Sequence, residues 1–339
     1  MVELPLRPCG VLIRGCGSAT PSRSISNEDL GQRVETSDEW IRSRTGIGAR
    51  RVVGTNESLI DLSAAASSAA LEMAGWPAES LDLILLATST PDDLFGSAPR
   101  LQSRLGASHA AAFDLTAACS GFLFALITAA QYLRSGAMRR ILVVGADQLS
   151  RWVDWNDRRS CVLFGDAAGA VVLESRDDGQ DDLLGFLMRC DGSRGEVLQL
   201  PQIKTHAPLV GEATHQCGGF EPIRMNGQEV YKFAVREVPA ILEALLDTTN
   251  CQAEQLDWLL LHQANQRILD AVAERFSIPK TKVLSNLANY GNTSAATIPL
   301  MLDEAVRDGR VQPGHQLASS GFGAGLSWGA ALLRWSGPA

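Results

Sequence analysis

Cys119 stands in the segment AAFDLTAACSGF, which reads as a short strand, a turn and a helix that begins at the cysteine. A thiol at a helix N-terminus feels the positive end of the peptide dipoles, so its thiolate is favoured and its pKa is expected to fall. Thiolates attack thioesters readily, because exchange of one sulfur for another is nearly balanced and asks little of a general base. Taken alone, an isolated cysteine is more often a small core residue. His262 follows the apolar run LDWLLL, where a strand is expected to end. Strand carboxyl ends face the crevice where α/β folds bind ligands, although a lone histidine there also suits a core or capping role. Asn292, in NYGNTSAA, is by itself an ordinary N-cap after a glycine turn. The three gain chemical meaning if one fold brings them together.

An internal repeat supplies that fold. Leu81–Ser89 (LDLILLATS) and Leu256–Ala264 (LDWLLLHQA) share Leu-Asp followed by an apolar run, the pattern of a buried strand. About 30 residues later each half starts a helix, CSGFLFALITAAQYLRSG from Cys119 and NTSAATIPLMLDEAVRDG from Asn292. Each segment closes on a glycine 17 residues after its first residue, Gly136 and Gly309, where a helix should stop. An apolar strand follows in both, ILVVGAD and HQLASSGFG. The repeat therefore makes Cys119 and Asn292 equivalent helix starts and puts His262 at a strand end.

The remaining pattern is alternating. Strands are expected at 11–14, 81–90, 111–116, 141–146 and 168–174, with a turn at GCGSATP. Helices are expected over 28–45 in two pieces, 58–75, 97–105 and from Cys119. The stretch 175–222, rich in Gly, Asp and Gln, reads as the boundary between units 1–175 and 176–339. The second unit repeats the order: helix 227–248, strand 256–261, helix 264–276, strand 282–287, helix 293–307 and strands 315–320 and 328–334. Such alternation implies an α/β fold of mostly parallel sheets covered on both faces.

Composition narrows the function classes. Net charge is −8 with no long run of one sign, which argues against nucleic acid as a partner. No apolar run reaches the roughly 18 residues that span a bilayer. The segment MVELPLRPCGVLIRG lacks the succession of basic, apolar and small residues of a secretory signal, so a cytoplasmic location is expected. The seven cysteines form no CxxC pair, so neither a zinc nor a thioredoxin-like site is expected; the six besides Cys119 read as buried and reduced. GFGAG and GCGSAT are not dinucleotide fingerprints. The first leaves no room for a βαβ unit and the second lacks a third glycine and a well-placed acid.

The chain resembles the β-ketoacyl-acyl carrier protein synthase III family from about Val11 to Arg334. The motifs TSDEWIRSRTGI, AAFDLTAACSGF, FGDAAGA, HQANQRI, YGNTSAA and GFGAGLSWGA occur in the family's order. The resemblance implies a thiolase-like fold, two duplicated α/β halves in a five-layered αβαβα core, and a homodimer. It implies that Cys119 is acylated by an acyl-CoA primer, most simply acetyl-CoA, and that the acyl group is then joined to malonyl-acyl carrier protein. His262 and Asn292 match the pair that handles the malonyl group. Loss of CO2 leaves an enolate, and two neutral donors can hold its oxygen without a base. Backbone N–H groups of Cys119 and Ala324 match the oxyanion hole of the acyl-enzyme; Ala324 stands where some relatives have Gly.

The same resemblance places CoA beside Trp40, Arg44 and Arg158, with Thr36 and Glu39 as a capping box that puts Trp40 and Arg44 on one helix face. Lys232, Arg236 and Arg267 match carrier-protein contacts, a local basic patch on an acidic chain. Phe95 and Phe322 match the acyl pocket, Phe95 reaching the partner subunit's site. No metal and no cofactor beyond the CoA thioester substrate are expected. Two alternatives stay open: a secondary-metabolite condensing enzyme or acyltransferase of the same superfamily, and a non-catalytic CoA- or carrier-binding protein.

Overall fold

The computed structural model describes residues 9–338. The segment read as lacking a secretory signal falls mainly on residues 1–8, outside the described residues. In the first half, apolar runs assemble a five-stranded sheet in the order Gly10–Ala19, Ala167–Arg176, Arg140–Asp147, Leu83–Ala87, Ala111–Leu115. Its first two junctions are antiparallel and its last two parallel. The second half repeats the arrangement with Leu183–Cys190, Ser327–Arg334, Gln316–Gly323 and Trp258–Leu261. There too two antiparallel junctions precede a parallel one.

The fifth position of the second sheet is a single parallel bridge, Leu259 to Val283. The strand expected over 282–287 is thus a correction. The side-chain oxygen of Gln263 accepts the N–H groups of Asn286 and Leu287, which a strand would give to its ladder, and Leu287–Tyr290 turns into a short helix instead. Two other expectations change. The stretch 175–222 is not only boundary, because it contains the edge strand Leu183–Cys190, whose pattern is broken by Gly185. GCGSA is not a turn but the end of the first strand. Its glycines let the Ala-rich helix Leu59–Ala74 press onto the strand. A Cβ on Gly15 would lie 2.5 Å from the Ala70 carbonyl oxygen, and one on Gly17 2.2 Å from that of Ala66.

Five layers result. Leu59–Ala74 and Ala98–Leu105 cover the outside of the first sheet, and Gly227–Thr249 and Gln266–Arg275 the outside of the second. Gly121–Arg134 and Thr297–Arg307 lie between the sheets. The central core joins residues of both halves, among them Leu85, Leu126, Met301 and Leu317. Each such leucine contributes roughly 1.5–3 kcal/mol by leaving water. Both central helices stop where expected, at Gly136 and Gly309, whose φ values of 70° and 81° end a helix without a Cβ clash. No described helix is long and apolar enough to cross a membrane.

Candidate active site

Cys119 occupies a 3-10 turn, Ala118–Ser120, that leads into Gly121–Arg134. Ala118 holds a left-handed φ of 48°, uncommon for a residue with a Cβ. The second half has the same device. Ser294, with φ 52°, opens the turn Ser294–Ala296 that leads into Thr297–Arg307. The residue equivalent to Cys119 is therefore Ala295, and Asn292 lies ahead of the turn. Counting back from the closing glycines misplaces this start because the second helix has 11 residues against 14.

Cys119, His262 and Asn292 nevertheless line one cavity of about 110 Å³. His262 comes off the strand Trp258–Leu261, its N–H donating to the Ser320 carbonyl at 2.8 Å. Its ring meets Phe322 edge-on, with centroids 5.1 Å apart. Burial drives its pKa down to about 3, so the imidazole is neutral. Nδ1 has no hydrogen-bond partner among the described residues. Asn292 is fixed by its backbone, donating to the Leu163 carbonyl at 2.8 Å and accepting from the N–H of Gly165 at 3.0 Å. Its side-chain oxygen accepts from the N–H of Ser294 at 2.9 Å, which leaves the NH2 group as the free end. Gln263 ties the two segments together through its bonds to Ser285, Asn286 and Leu287.

The Cys119 thiol departs from expectation. Burial pushes it up to about 12, outweighing the hydroxyl of Ser294, which donates to Sγ at 3.3 Å, and its own backbone N–H. A helix start alone does not ionise a sulfur so far from water.

The turn after Gln316–Gly323 packs directly on the nucleophile. A Cβ on Gly323 would stand 2.6 Å from the Cys119 nitrogen. Ser327 donates to the carbonyls of Ala117 and Ala324 at 3.3 and 3.2 Å, fastening the turn to the residues before Cys119. Ala324 is not among the left-handed residues, so its Cβ costs the turn nothing.

A second cavity of about 570 Å³ also reaches Cys119; Ser89, Thr116, Leu149, Leu198 and Ala324 contribute to its wall. Phe322 lines the smaller cavity, beside His262. Phe95 lines neither: it and Leu94 are 100 % and 84 % exposed.

Trp40, Arg44 and Arg158 come together. The two guanidinium carbons lie 4.9 and 5.3 Å from the centre of the half-buried indole, and Arg158 also donates to the Glu35 carbonyl at 2.8 Å. The expected capping box is a correction: Ser37, not Thr36, caps Asp38–Thr45 by accepting from the N–H of Trp40. Thr36 Oγ1 is buried without a partner among the described residues. Arg267 joins this group, donating to the Ser43 carbonyl at 3.0 Å, while Asn265 donates to that of Arg44. Lys232 and Arg236 are exposed and each pairs with a glutamate, Glu229 and Glu237. They ride the helix that walls the smaller cavity through Val230, Tyr231 and Phe233.

All seven cysteines are free, but not all six others are buried. Cys190 ends an edge strand and is exposed, and Cys217 is half-buried beside an exposed hairpin. No group of three or more His, Cys, Asp or Glu among the described residues could hold a metal. Ser294, Gln263 and Asp147 were missed by the sequence reading. Ser294 and Gln263 sit inside quoted motifs, and Asp147 ends ILVVGAD, but nothing in the sequence says where they point.

The family described as 3-oxoacyl-[acyl-carrier-protein (ACP)] synthase III matches residues 113–192, and its C-terminal counterpart matches residues 246–335. Two relatives named beta-ketoacyl-[acyl-carrier-protein] synthase III, from Prochlorococcus marinus (strain MIT 9313) and Synechococcus sp. (strain WH7803), are each 72 % identical to this chain. The first alignment covers 100 % of both chains and the second 97 % of each. The crystal structure of 3-oxoacyl-[acyl-carrier-protein] synthase III from Aquifex aeolicus VF5 superposes with a TM-score of 0.88 at 42 % identity, covering 96 % of this chain and 100 % of that one.

Proposed function

The chain belongs to the β-ketoacyl-[acyl-carrier-protein] synthase III family, and from that premise we propose how its residues divide the reaction. The reaction is the initiating condensation of fatty-acid synthesis: an acyl group from acyl-CoA is joined to malonyl-acyl carrier protein, with loss of CO2. The observation that carries the assignment of roles is the meeting of Cys119, His262 and Asn292 in one cavity. Cys119 takes the acyl group, and its own N–H with that of Ala324 holds the oxyanion. His262, neutral with a pKa near 3, and the free NH2 of Asn292 hold the enolate oxygen that forms as CO2 departs. Phe322 keeps the imidazole in place. Nothing in this scheme calls for a cofactor beyond the thioester substrates.

Trp40, Arg44 and Arg158 suit the adenine and phosphates of CoA, an indole face flanked by guanidiniums. Arg267 at the same rim, with Lys232 and Arg236, suits the acidic carrier protein. The partner of the chain is a second copy. Ala111–Leu115 is an unpaired sheet edge with Phe113 41 % exposed, and Leu94 and Phe95 project from the loop before Ala98–Leu105. An apolar pair on so polar a loop is expected to be covered. Phe95 then closes the 570 Å³ cavity of the other copy and limits primer length. Thioester substrates and free cysteines suit the cytoplasm.

The first test is intact mass after incubation with acetyl-CoA. Wild type gains one acetyl group on Cys119; Cys119→Ser is expected to gain none, because a hydroxyl is a weaker acid and a much weaker nucleophile toward thioesters than a thiol. Labelling at Cys161 instead overturns the assignment. For the second copy, Phe95→Ala is expected to raise turnover of longer primers relative to acetyl-CoA. A fully active monomer in sedimentation, or an unchanged primer preference, removes Phe95 from that role.

A further inference from the structure

One buried carboxyl has no part in the scheme above. Asp147 ends the strand Arg140–Asp147 and is fully buried, yet no cation is among the groups acting on it. One of its oxygens accepts from the N–H of Ser89 at 2.8 Å and from the hydroxyls of Thr88 and Thr90, both at 3.2 Å. Its other oxygen accepts from the N–H of Ala295 at 3.2 Å. Ala295 directly follows Ser294, whose hydroxyl acts on the Asp147 carboxyl and donates to Cys119 Sγ at 3.3 Å. A carboxyl, a hydroxyl and a thiol thus cluster at one turn.

We infer that Ser294 and Asp147 form a proton route for Cys119, with Ser294 as a further catalytic residue and Asp147 as the positioning residue that acts through it. The inference rests on the reading that Cys119 is the acylated nucleophile. For the transfer the Ser294 hydroxyl turns from Cys119 Sγ, to which it donates, toward Asp147; the S–H proton of Cys119 then passes to Ser294 Oγ as the hydroxyl proton of Ser294 passes to Asp147. The sulfur electron pair attacks the thioester carbonyl. When the tetrahedral adduct collapses, the C–S bond to CoA breaks, and the CoA sulfur leaves with that bond's electrons. It takes up the proton stored at Asp147, returned through Ser294, so nothing is consumed. Burial favours both neutral forms, raising Asp147 above the usual carboxylate range and Cys119 to about 12. A raised carboxyl is a stronger base than an ordinary carboxylate, which suits it to take a proton from a thiol. The titratable groups at this point are Cys119 and Asp147 themselves, with His262 on the cavity wall, neutral throughout the working range.

The test is the rate of Cys119 acylation by acetyl-CoA, followed by quenched intact mass across the pH range in wild type, Ser294→Ala and Asp147→Asn. Wild type is expected to level off once Asp147 is ionised. Each variant is expected to lose about 100-fold near pH 7 and then rise about tenfold per pH unit, closing on wild type in alkali. Ser294→Ala leaves the Asp147 bonds to Ser89, Thr88 and Thr90 in place, so it decides the matter if Asp147→Asn does not fold. Variant profiles that stay parallel to wild type show a purely structural role and overturn the route. A wild type that acylates elsewhere than Cys119 overturns the underlying reading instead.

Discussion

At the start of Gly121–Arg134 the N–H of Cys119 faces Gly323. At the start of Thr297–Arg307 the N–H of Ala295 faces Asp147. Gly323 and Asp147 are the last residues of corresponding strands, Gln316–Gly323 and Arg140–Asp147. Each half thus packs a strand end on the other half's left-handed turn. In one copy the strand ends in a carboxylate that satisfies the peptide N–H. In the other the strand ends in a glycine, which lies close against the Cys119 N–H and brings no side-chain acceptor to it. The difference teaches that the proposed oxyanion site lies where one strand end lacks the side chain that its counterpart keeps.

The largest expected effect comes from restoring atoms there. Gly323→Ala puts a Cβ about where the Cys119 nitrogen requires clearance, 2.6 Å away. Cys119 acylation is expected to fall by about 100-fold or more, with the thermal midpoint used to separate this from misfolding. Unimpaired acylation would break the comparison, because that position would then hold no oxyanion. Next come His262→Ala and Asn292→Ala. Both are proposed as donors of the enolate step, so malonyl decarboxylation is expected to fall by about 100-fold while Cys119 acylation is spared more. Equal loss of the two half-reactions would assign the second half's residues to the thiol instead.

The smallest effect is on stability. His262 has a folded pKa near 3, below the usual 6.5 of imidazole. Between these values the unfolded chain takes up a proton that the folded chain refuses. The contribution of the neutral ring is therefore full above about pH 6.5 and shrinks as pH falls toward 3. Denaturation midpoints should show His262→Gln losing less stability than wild type on acidification from about pH 7 to about pH 5. Parallel losses would mean that the buried ring is not what resists the proton.

The sheets and covering helices were legible because LDLILLA and LDWLLLH carry the same apolar run, and because Gly136 and Gly309 mark helix ends chemically. The starts of the two central helices were not. Ala118 and Ser294 enter their turns with positive φ, which their residue types do not announce, so the equivalence drawn through Asn292 missed by about one turn. Cys119, His262 and Asn292 could be found because strand ends and helix starts converge in such a fold. Asp147 and Ser294 could not, because their meaning lies in a contact between halves. The strand over 282–287 failed for a related reason: Gln263, far off in sequence, captures the peptide groups a ladder would need.

The central pair of helices has a thermodynamic consequence. Gly121–Arg134 and Thr297–Arg307 bury residues of both halves in one apolar cluster. Either half expressed alone would expose the faces of that cluster to water, an area that ordinary loops cannot cover. The duplicated units are accordingly repeats of sequence and not independent folding units. Heating is expected to melt them in a single calorimetric transition, with no state in which the thiol's half stands folded while the half bearing the enolate donors has come apart.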